Sequence, residues 1–154
     1  MQGISTAAGT QLASQADLCV AVPEASFATP GVQRGGFCTT PSVAISRSIG
    51  FKKQSLRMLL TGEKFYGKEA YEFGLVSHLA EENLDDFTNK LAADIAKAAS
   101  TTLFLGKRAF YEQNELGIVN AYEFAANVMA RNFCMDDSKE GVSAFLEKRE
   151  PQWK

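Results

Sequence analysis

The 154 residues, 45% hydrophobic and 22% charged, suit one soluble globular domain with a core of its own. Basic and acidic side chains number 16 and 18, a net charge of -2, so no positive field draws the chain to nucleic acid or any other polyanion. Three cysteines, Cys19, Cys38 and Cys134, are too few and too scattered for a disulfide framework or a CxxC metal pair, so no metal is expected and a reducing compartment fits.

In chain order, the segment Met1 to Gly9 carries neither the charged and apolar regions of a signal peptide nor the arginines of a mitochondrial presequence. Ala7-Ala8-Gly9 reads as a tight turn from strand to helix, with the helix beginning near Gly9. Leu18 to Val22 reads as a buried strand stopped by Pro23, and Ser26-Phe27-Ala28 as a shorter one ended by Thr29-Pro30-Gly31. The stretch Gly31 to Thr40 holds three of the 12 glycines and predicts a loop.

Near Pro41 the apolar pattern changes from short β-like runs to helical periodicity. Helices are expected over 42–49, 52–60 and 68–73, followed by a short strand, Leu75-Val76-Ser77. The clearest helix is Leu84 to Ala99, where Leu84, Phe87, Leu91, Ile95 and Ala98 fall at helical spacing behind Asn83 as N-cap, predicting a buried stripe. Two more follow, about Thr102 to Gln113 and Ile118 to Phe133, separated by the break Asn114 to Gly117. A last helix is expected from Ser138 to Lys148, with Asp136 or Asp137 favourably placed at its start and Pro151 beyond its end. No apolar run approaches the roughly 20 residues that span a bilayer, so direct membrane insertion is not expected.

Three stretches together resemble the crotonase (enoyl-CoA hydratase/isomerase) family. The first is Thr6-Ala7-Ala8-Gly9-Thr10-Gln11-Leu12 with Asp17 to Ala21 and Phe27-Ala28-Thr29-Pro30-Gly31, similar to that family's glycine-rich turn, helix, strand and F-x-x-P-E segment. The second runs from Leu60-Thr61-Gly62 through Ala70 to Gly74-Leu75-Val76, similar to its TG…A…GLV segment, and the third is the tail Glu140 to Pro151. The variant Ala28-Thr29-Pro30-Gly31-Val32 with Gly36 to Pro41 is most similar to the enoyl-CoA hydratase domain-containing subgroup of mitochondria.

The resemblance implies an α/β fold, a truncated crotonase-type spiral of ββα units over residues 1–80 followed by C-terminal oligomerisation helices over 81–154. It also implies a mitochondrial, matrix-side location. The family's first strands, and the loop that supplies one of its two oxyanion-hole N–H groups, have no counterpart in the sequence. The second donor maps to Ala8, with Gly9 beside it at the start of a helix, where free N–H groups and the helix dipole favour negative charge. The alternative is that these residues form a turn and nothing more.

Hydration needs proton transfer at two carbons, which the family arranges with two carboxylates. Those positions fall on Gln11 and Gly31: an amide that cannot take a proton at neutral pH, and no side chain at all. From Ala25 to Gly62 there is no Asp or Glu, while Arg34, Arg47, Lys52, Lys53 and Arg57 are all positive. Asp17 and Glu24 are the nearest acids, Asp17 reading as a structural cap or loop ligand. Cys38 reads as a nucleophile only with a base beside it, and His78, the one histidine, follows a separate strand; a small packing group is the other reading.

Lys148 matches a basic position of the family tail that reaches the phosphates of coenzyme A, though a surface charge there needs no special explanation; the aromatic position upstream is Met129. Phe124, Met129, Phe133, Phe145 and Trp153 read as core first, then subunit interface, then ligand contacts. The expected function is therefore a catalytically degenerate enoyl-CoA hydratase/isomerase-like protein acting as a structural subunit of a larger mitochondrial assembly. Its partners would be proteins, in an obligate oligomer or multi-subunit complex, and not nucleic acid. The alternative is an acyl-CoA-binding half completed by a separate N-terminal chain, with altered lyase, isomerase or thioesterase chemistry. No cofactor is expected, and a coenzyme A thioester is the one small ligand implied.

Overall fold

The computed structural model describes residues 1–154. They divide within one helix into two compact units, Met1–Asn89 and Lys90–Lys154. The first unit begins with β1 (Ile4–Thr6), α1 (Ala8–Gln15), β2 (Val20–Ala21) and β3 (Ser26–Ala28), then a 3-10 turn over Pro30–Arg34. It continues with α2 (Thr39–Ser48), α3 (Lys52–Thr61), β4 (Phe65–Tyr66), α4 (Gly67–Glu72), β5 (His78–Leu79) and the start of α5 (Leu84–Ile95). The second unit holds α6 (Ser100–Asn114), α7 (Ile118–Phe133) and α8 (Asp136–Glu147).

Two small sheets organise the first unit. In one, β3 lies between β1 and β4, parallel to β1 with Ser5 opposite Phe27 and antiparallel to β4 with Phe27 opposite Phe65. In the other, β2 runs parallel to β5, with Ala21 opposite Leu79. Phe27 and Phe65 are fully buried with Ile45 and Met58, one large apolar side chain from each of β3, β4, α2 and α3. That shared core fixes β3, and with it the segment that follows, against the two helices. The α3 helix stops at Gly62, whose left-handed backbone (φ 68°) lets its N–H reach the Met58 carbonyl at 3.0 Å.

The strand Ser26–Ala28 and the helix Ile118–Phe133 lie where the sequence pattern put them. Other elements differ, each for a visible reason. The expected strand Leu18 to Val22 contracts to Val20–Ala21, because the Cys19 N–H bonds the Ser77 hydroxyl at 2.9 Å and the Val22 N–H bonds the Met1 carbonyl at 3.1 Å. The expected strand Leu75 to Ser77 is coil, with Leu75 and Val76 buried; the ladder begins at His78, and Val76 donates instead to the Ala70 carbonyl. Asn83 does cap α5, its side-chain oxygen accepting from the N–H groups of Asp85 and Asp86, but the helix ends at Ile95 and α6 starts at Ser100.

The stripe expected to be buried on α5 is not: no residue of that helix is buried, and Phe87 and Ile95 are exposed. Nor do the aromatic residues of the second unit form a core. Phe145 is 82% exposed, Met129 60% and Phe133 57%, while the buried apolar positions are the small residues Ala99, Ala121 and Ala144. The polar tail ties α8 to the segment before α6 and to the start of α6. Trp153 donates its indole N–H to the Lys97 carbonyl at 2.6 Å and lies against Gly141, and the backbone N–H of Lys154 reaches Asp137 at 3.1 Å. Asp137 is buried and also takes the Thr101 hydroxyl, tying α8 to the first turn of α6. No helix is long and apolar enough to cross a membrane.

Candidate functional site

Between β1 and α1 the chain turns at Ala7, whose backbone (φ 48°, ψ -111°) lies in a region that an alanine enters only at a cost of about 1–3 kcal/mol. The turn is held by the Ala7 N–H, which donates to the Ala28 carbonyl at 2.9 Å, and by Gln11, which donates to the Ala7 carbonyl at 3.0 Å. The α1 helix that follows has no side-chain cap. The N–H groups of Ala8 and Gly9 therefore have no partner inside the helix, and they stand at the positive end of its dipole. Ala8 is exposed and Gly9 half-buried. Such an end can hold an oxyanion or a polarised carbonyl oxygen.

Thr10 and Ser5 set this turn from below. The Thr10 hydroxyl is fully buried, 2.9 Å from the Ser5 carbonyl and 3.0 Å from the Ala28 carbonyl, and it lies 3.3 Å from the Ala28 N–H. The Ser5 hydroxyl is also buried, without a partner, beside the bare α-carbon of Gly9: a β-carbon there would come within 3.2 Å of it. Neither residue stood out in the sequence. A hydroxyl residue directly after the Gly- and Ala-rich bend is the only sign the sequence carries.

Through Thr10 and Ala7 the structure joins the segment of Ala8, Gly9 and Gln11 to the end of β3, three residues before Gly31. Gln11 is half-buried on α1 and offers an amide. Gly31, half-buried in the 3-10 turn, offers a backbone; its carbonyl accepts the Gly36 N–H at 3.0 Å. Cys38 is half-buried next to Gly31 and opens α2. His78 is on β5, where its Nδ1 meets the Ser77 hydroxyl at 2.9 Å and its ring tilts onto Phe87. Both of those partners are structural. Asp17 is exposed after α1. Burial pushes the Cys19 thiol up, against a smaller opposing pull from the N-terminal charge, so that sulfur is an inert packing group.

The acid-free stretch gains its carboxylates from just beyond its end. Glu69 meets the Arg57 guanidinium at 2.9 Å and Glu63 pairs with it too, and these hydrogen bonds raise its pKa; the same guanidinium lies 4.5 Å from the centre of the Phe65 ring. This cluster fastens α3 to β4 and α4. No group of three His, Cys, Asp or Glu side chains comes together as a metal site.

In the second unit Lys148 closes α8 as its left-handed C-cap (φ 56°), exposed, while its neighbour Arg149 is fully engaged with Glu140 and Glu147. An open groove of about 350 Å³ runs between α6 and α7, lined by Leu105, Phe110, Val128, Met129 and Phe133 among others.

The family profile described as enoyl-CoA hydratase/isomerase matches residues 1–154. The chain belongs to the enoyl-CoA hydratase/isomerase family. Among its curated relatives, the mitochondrial enoyl-CoA hydratase domain-containing protein 3 of Xenopus laevis is 42% identical over 99% of this chain and 52% of its own length. The chain thus spans about half the length of the curated relatives it matches. Among solved structures, an enoyl-CoA hydratase of Mycobacterium smegmatis superposes with a TM-score of 0.95 at 43% identity, covering 99% of this chain and 60% of that one. The human enoyl-CoA hydratase domain-containing protein 3 superposes with a TM-score of 0.94 at 41% identity, over 98% of this chain and 60% of that one. The fold is therefore the crotonase fold, and the protein is enoyl-CoA hydratase/isomerase-like.

Proposed function

We propose that this crotonase-family chain does not hydrate enoyl-CoA and serves as a structural subunit of a larger mitochondrial assembly. The single observation that carries the first half is the pair of side chains at the two proton-transfer positions of the family. Adding water to an α,β-unsaturated thioester requires a base to take a proton from the water attacking the β-carbon and an acid to deliver one to the α-carbon. Gln11 presents an amide and Gly31 presents nothing, and the nearby carboxylates of Glu63 and Glu69 are tied to Arg57. Each lost group costs on the order of a hundredfold to ten-thousandfold in rate.

The structural role is supported by the surfaces of α7 and α8. Ile118, Val119 and Tyr122 are each more than 70% exposed, as are Phe145 and Leu146. Apolar side chains so concentrated mark surfaces that other proteins cover. The mitochondrial setting rests on similarity to relatives such as the mitochondrial protein of Xenopus laevis.

A second reading, acyl-CoA binding with altered chemistry, has its own supporting observation: the strained Ala7 turn and the uncapped α1 end remain in place although the carboxylates are gone. In that reading the Ala8 N–H, with Gly9 beside it, polarises a thioester carbonyl, and Lys148 meets a phosphate of coenzyme A.

Two measurements on the purified chain separate these readings. Turnover of crotonyl-CoA is expected at background, and a rate typical of hydratases would sink the proposal outright. Calorimetric titration with acetyl-CoA and a longer acyl-CoA is expected to show no saturable binding if the role is purely structural; micromolar binding establishes the second reading. For the assembly itself, native electrophoresis of mitochondrial extracts should place the chain in a complex far larger than a monomer.

A further inference from the structure

The position that would hold the family's second carboxylate is filled. A β-carbon built on Gly31 would stand 2.6 Å from the Gly36 carbonyl oxygen and 2.9 Å from the Cys38 sulfur. Cys38 could swing its sulfur aside. The Gly36 oxygen is backbone, and it belongs to the same tight turn in which the Gly36 N–H bonds the Gly31 carbonyl at 3.0 Å.

Both flanks of the turn are pinned. On one side the Thr29 hydroxyl, fully buried, donates to the Met58 carbonyl at 3.0 Å. On the other the Gln33 amide donates to the Thr61 carbonyl at 2.9 Å, and Pro30 packs so closely on Gly62 that a β-carbon there would come within 3.0 Å of it. The far end is fixed by the Ser42 N–H, which bonds the Cys38 carbonyl at 3.0 Å as α2 begins. Gly31 keeps an ordinary backbone torsion, so the constraint is space and not conformation.

We infer that the folded-back segment Gly31–Cys38 seals the place of the second acid, so no protonatable side chain can be carried at Gly31 without rebuilding the loop. The consequence for chemistry rests on the reading of Gly31 as the second proton-transfer position, given above; the steric closure does not. A sealed position restricts the ligand to one that is held or polarised at the α1 end without being protonated from this side.

The test compares thermal unfolding of the full chain with Gly31→Ala, Gly36→Ala and the double variant Gly31→Ala/Cys38→Ala. Gly36→Ala is the control, since its added β-carbon would have no neighbour nearer than 3.9 Å. Gly31→Ala is expected to lower Tm by about 5 °C or more, or to prevent folding, while Gly36→Ala stays within about 2 °C of wild type. The double variant should recover part of the loss and not all of it, because the Gly36 oxygen remains. Gly31→Ala as stable as Gly36→Ala would overturn the inference. So would a Gln11→Glu/Gly31→Glu variant that folds like wild type and hydrates crotonyl-CoA. Because the stability comparison uses no substrate, hydration by the wild-type chain would defeat the proposed function and leave this result standing.

Discussion

The Thr10 hydroxyl stands 2.9 Å from the Ser5 carbonyl oxygen, fully buried beneath the turn that presents Ala8. It has one hydrogen for two carbonyls, those of Ser5 and Ala28, so it bridges β1 and β3 at the point where α1 begins. Thr10→Val keeps the shape and removes the donor, leaving two buried carbonyls with weaker partnering. A loss of about 1–3 kcal/mol is expected by urea unfolding, and Thr10→Ser should restore most of it. Equal stability of the Val and Ser variants would show that the bridge holds nothing.

Gln11→Glu restores one carboxylate of the two. Because hydration needs both transfers, crotonyl-CoA turnover should stay at background in this single variant. A Gln11→Glu protein with hydratase turnover within about tenfold of a true hydratase would mean that a carboxyl away from Gly31 supplies the second proton.

The tail makes a pH prediction. Arg149 holds Glu140 through two hydrogen bonds, at 2.6 and 3.0 Å, and together with the Gln152 N–H lowers its carboxyl from 4.5 to about 2. A carboxyl depressed in the folded state contributes stability that is complete above its unfolded value and fades as pH falls toward the folded one. The difference in stability between wild type and Glu140→Gln should therefore be constant from neutral pH down to about 5 and shrink steadily between about 4.5 and 2. Both side chains are partly exposed, so the difference should also shrink in high salt. A gap unchanged by acid at low salt would contradict the pairing.

Lys148 allows charge and backbone to be separated. Its left-handed torsion is one that glycine adopts freely, so Lys148→Gly removes the ammonium without harming the helix end, and Tm should hold or rise slightly. If the lysine meets a coenzyme A phosphate, acyl-CoA affinity should fall by a few fold in the same variant, with a weaker dependence on salt. Unaltered affinity returns Lys148 to an ordinary surface charge.

Much of this was legible in the residues. Ser26–Ala28 and Ile118–Phe133 announced themselves by punctuation and period, and the motif around Ala8, Gln11 and Gly31 pointed to the family that the whole chain matches. The missed strands, Ile4–Thr6 and Phe65–Tyr66, have three and two residues, too few for alternation to register. Leu75 and Val76 are buried as a strand would be, yet their hydrogen bonds go to a helix end, which no pattern of side chains reveals. The α5 stripe and the aromatic residues of α7 and α8 are apolar at helical spacing, but spacing does not say whether the covering surface belongs to the same chain. The closure at Gly31 depends on a carbonyl five residues later folding back upon it, and glycine in sequence reads only as freedom.

The sheet of β1, β3 and β4 ends at β1, where Ile4 and Thr6 lie exposed on the rim. A strand laid alongside would be recognised through main-chain atoms that every sequence shares, so the choice of visitor would fall to fit, direction and alignment. That leaves this margin open to many segments in principle and selective only through what surrounds it.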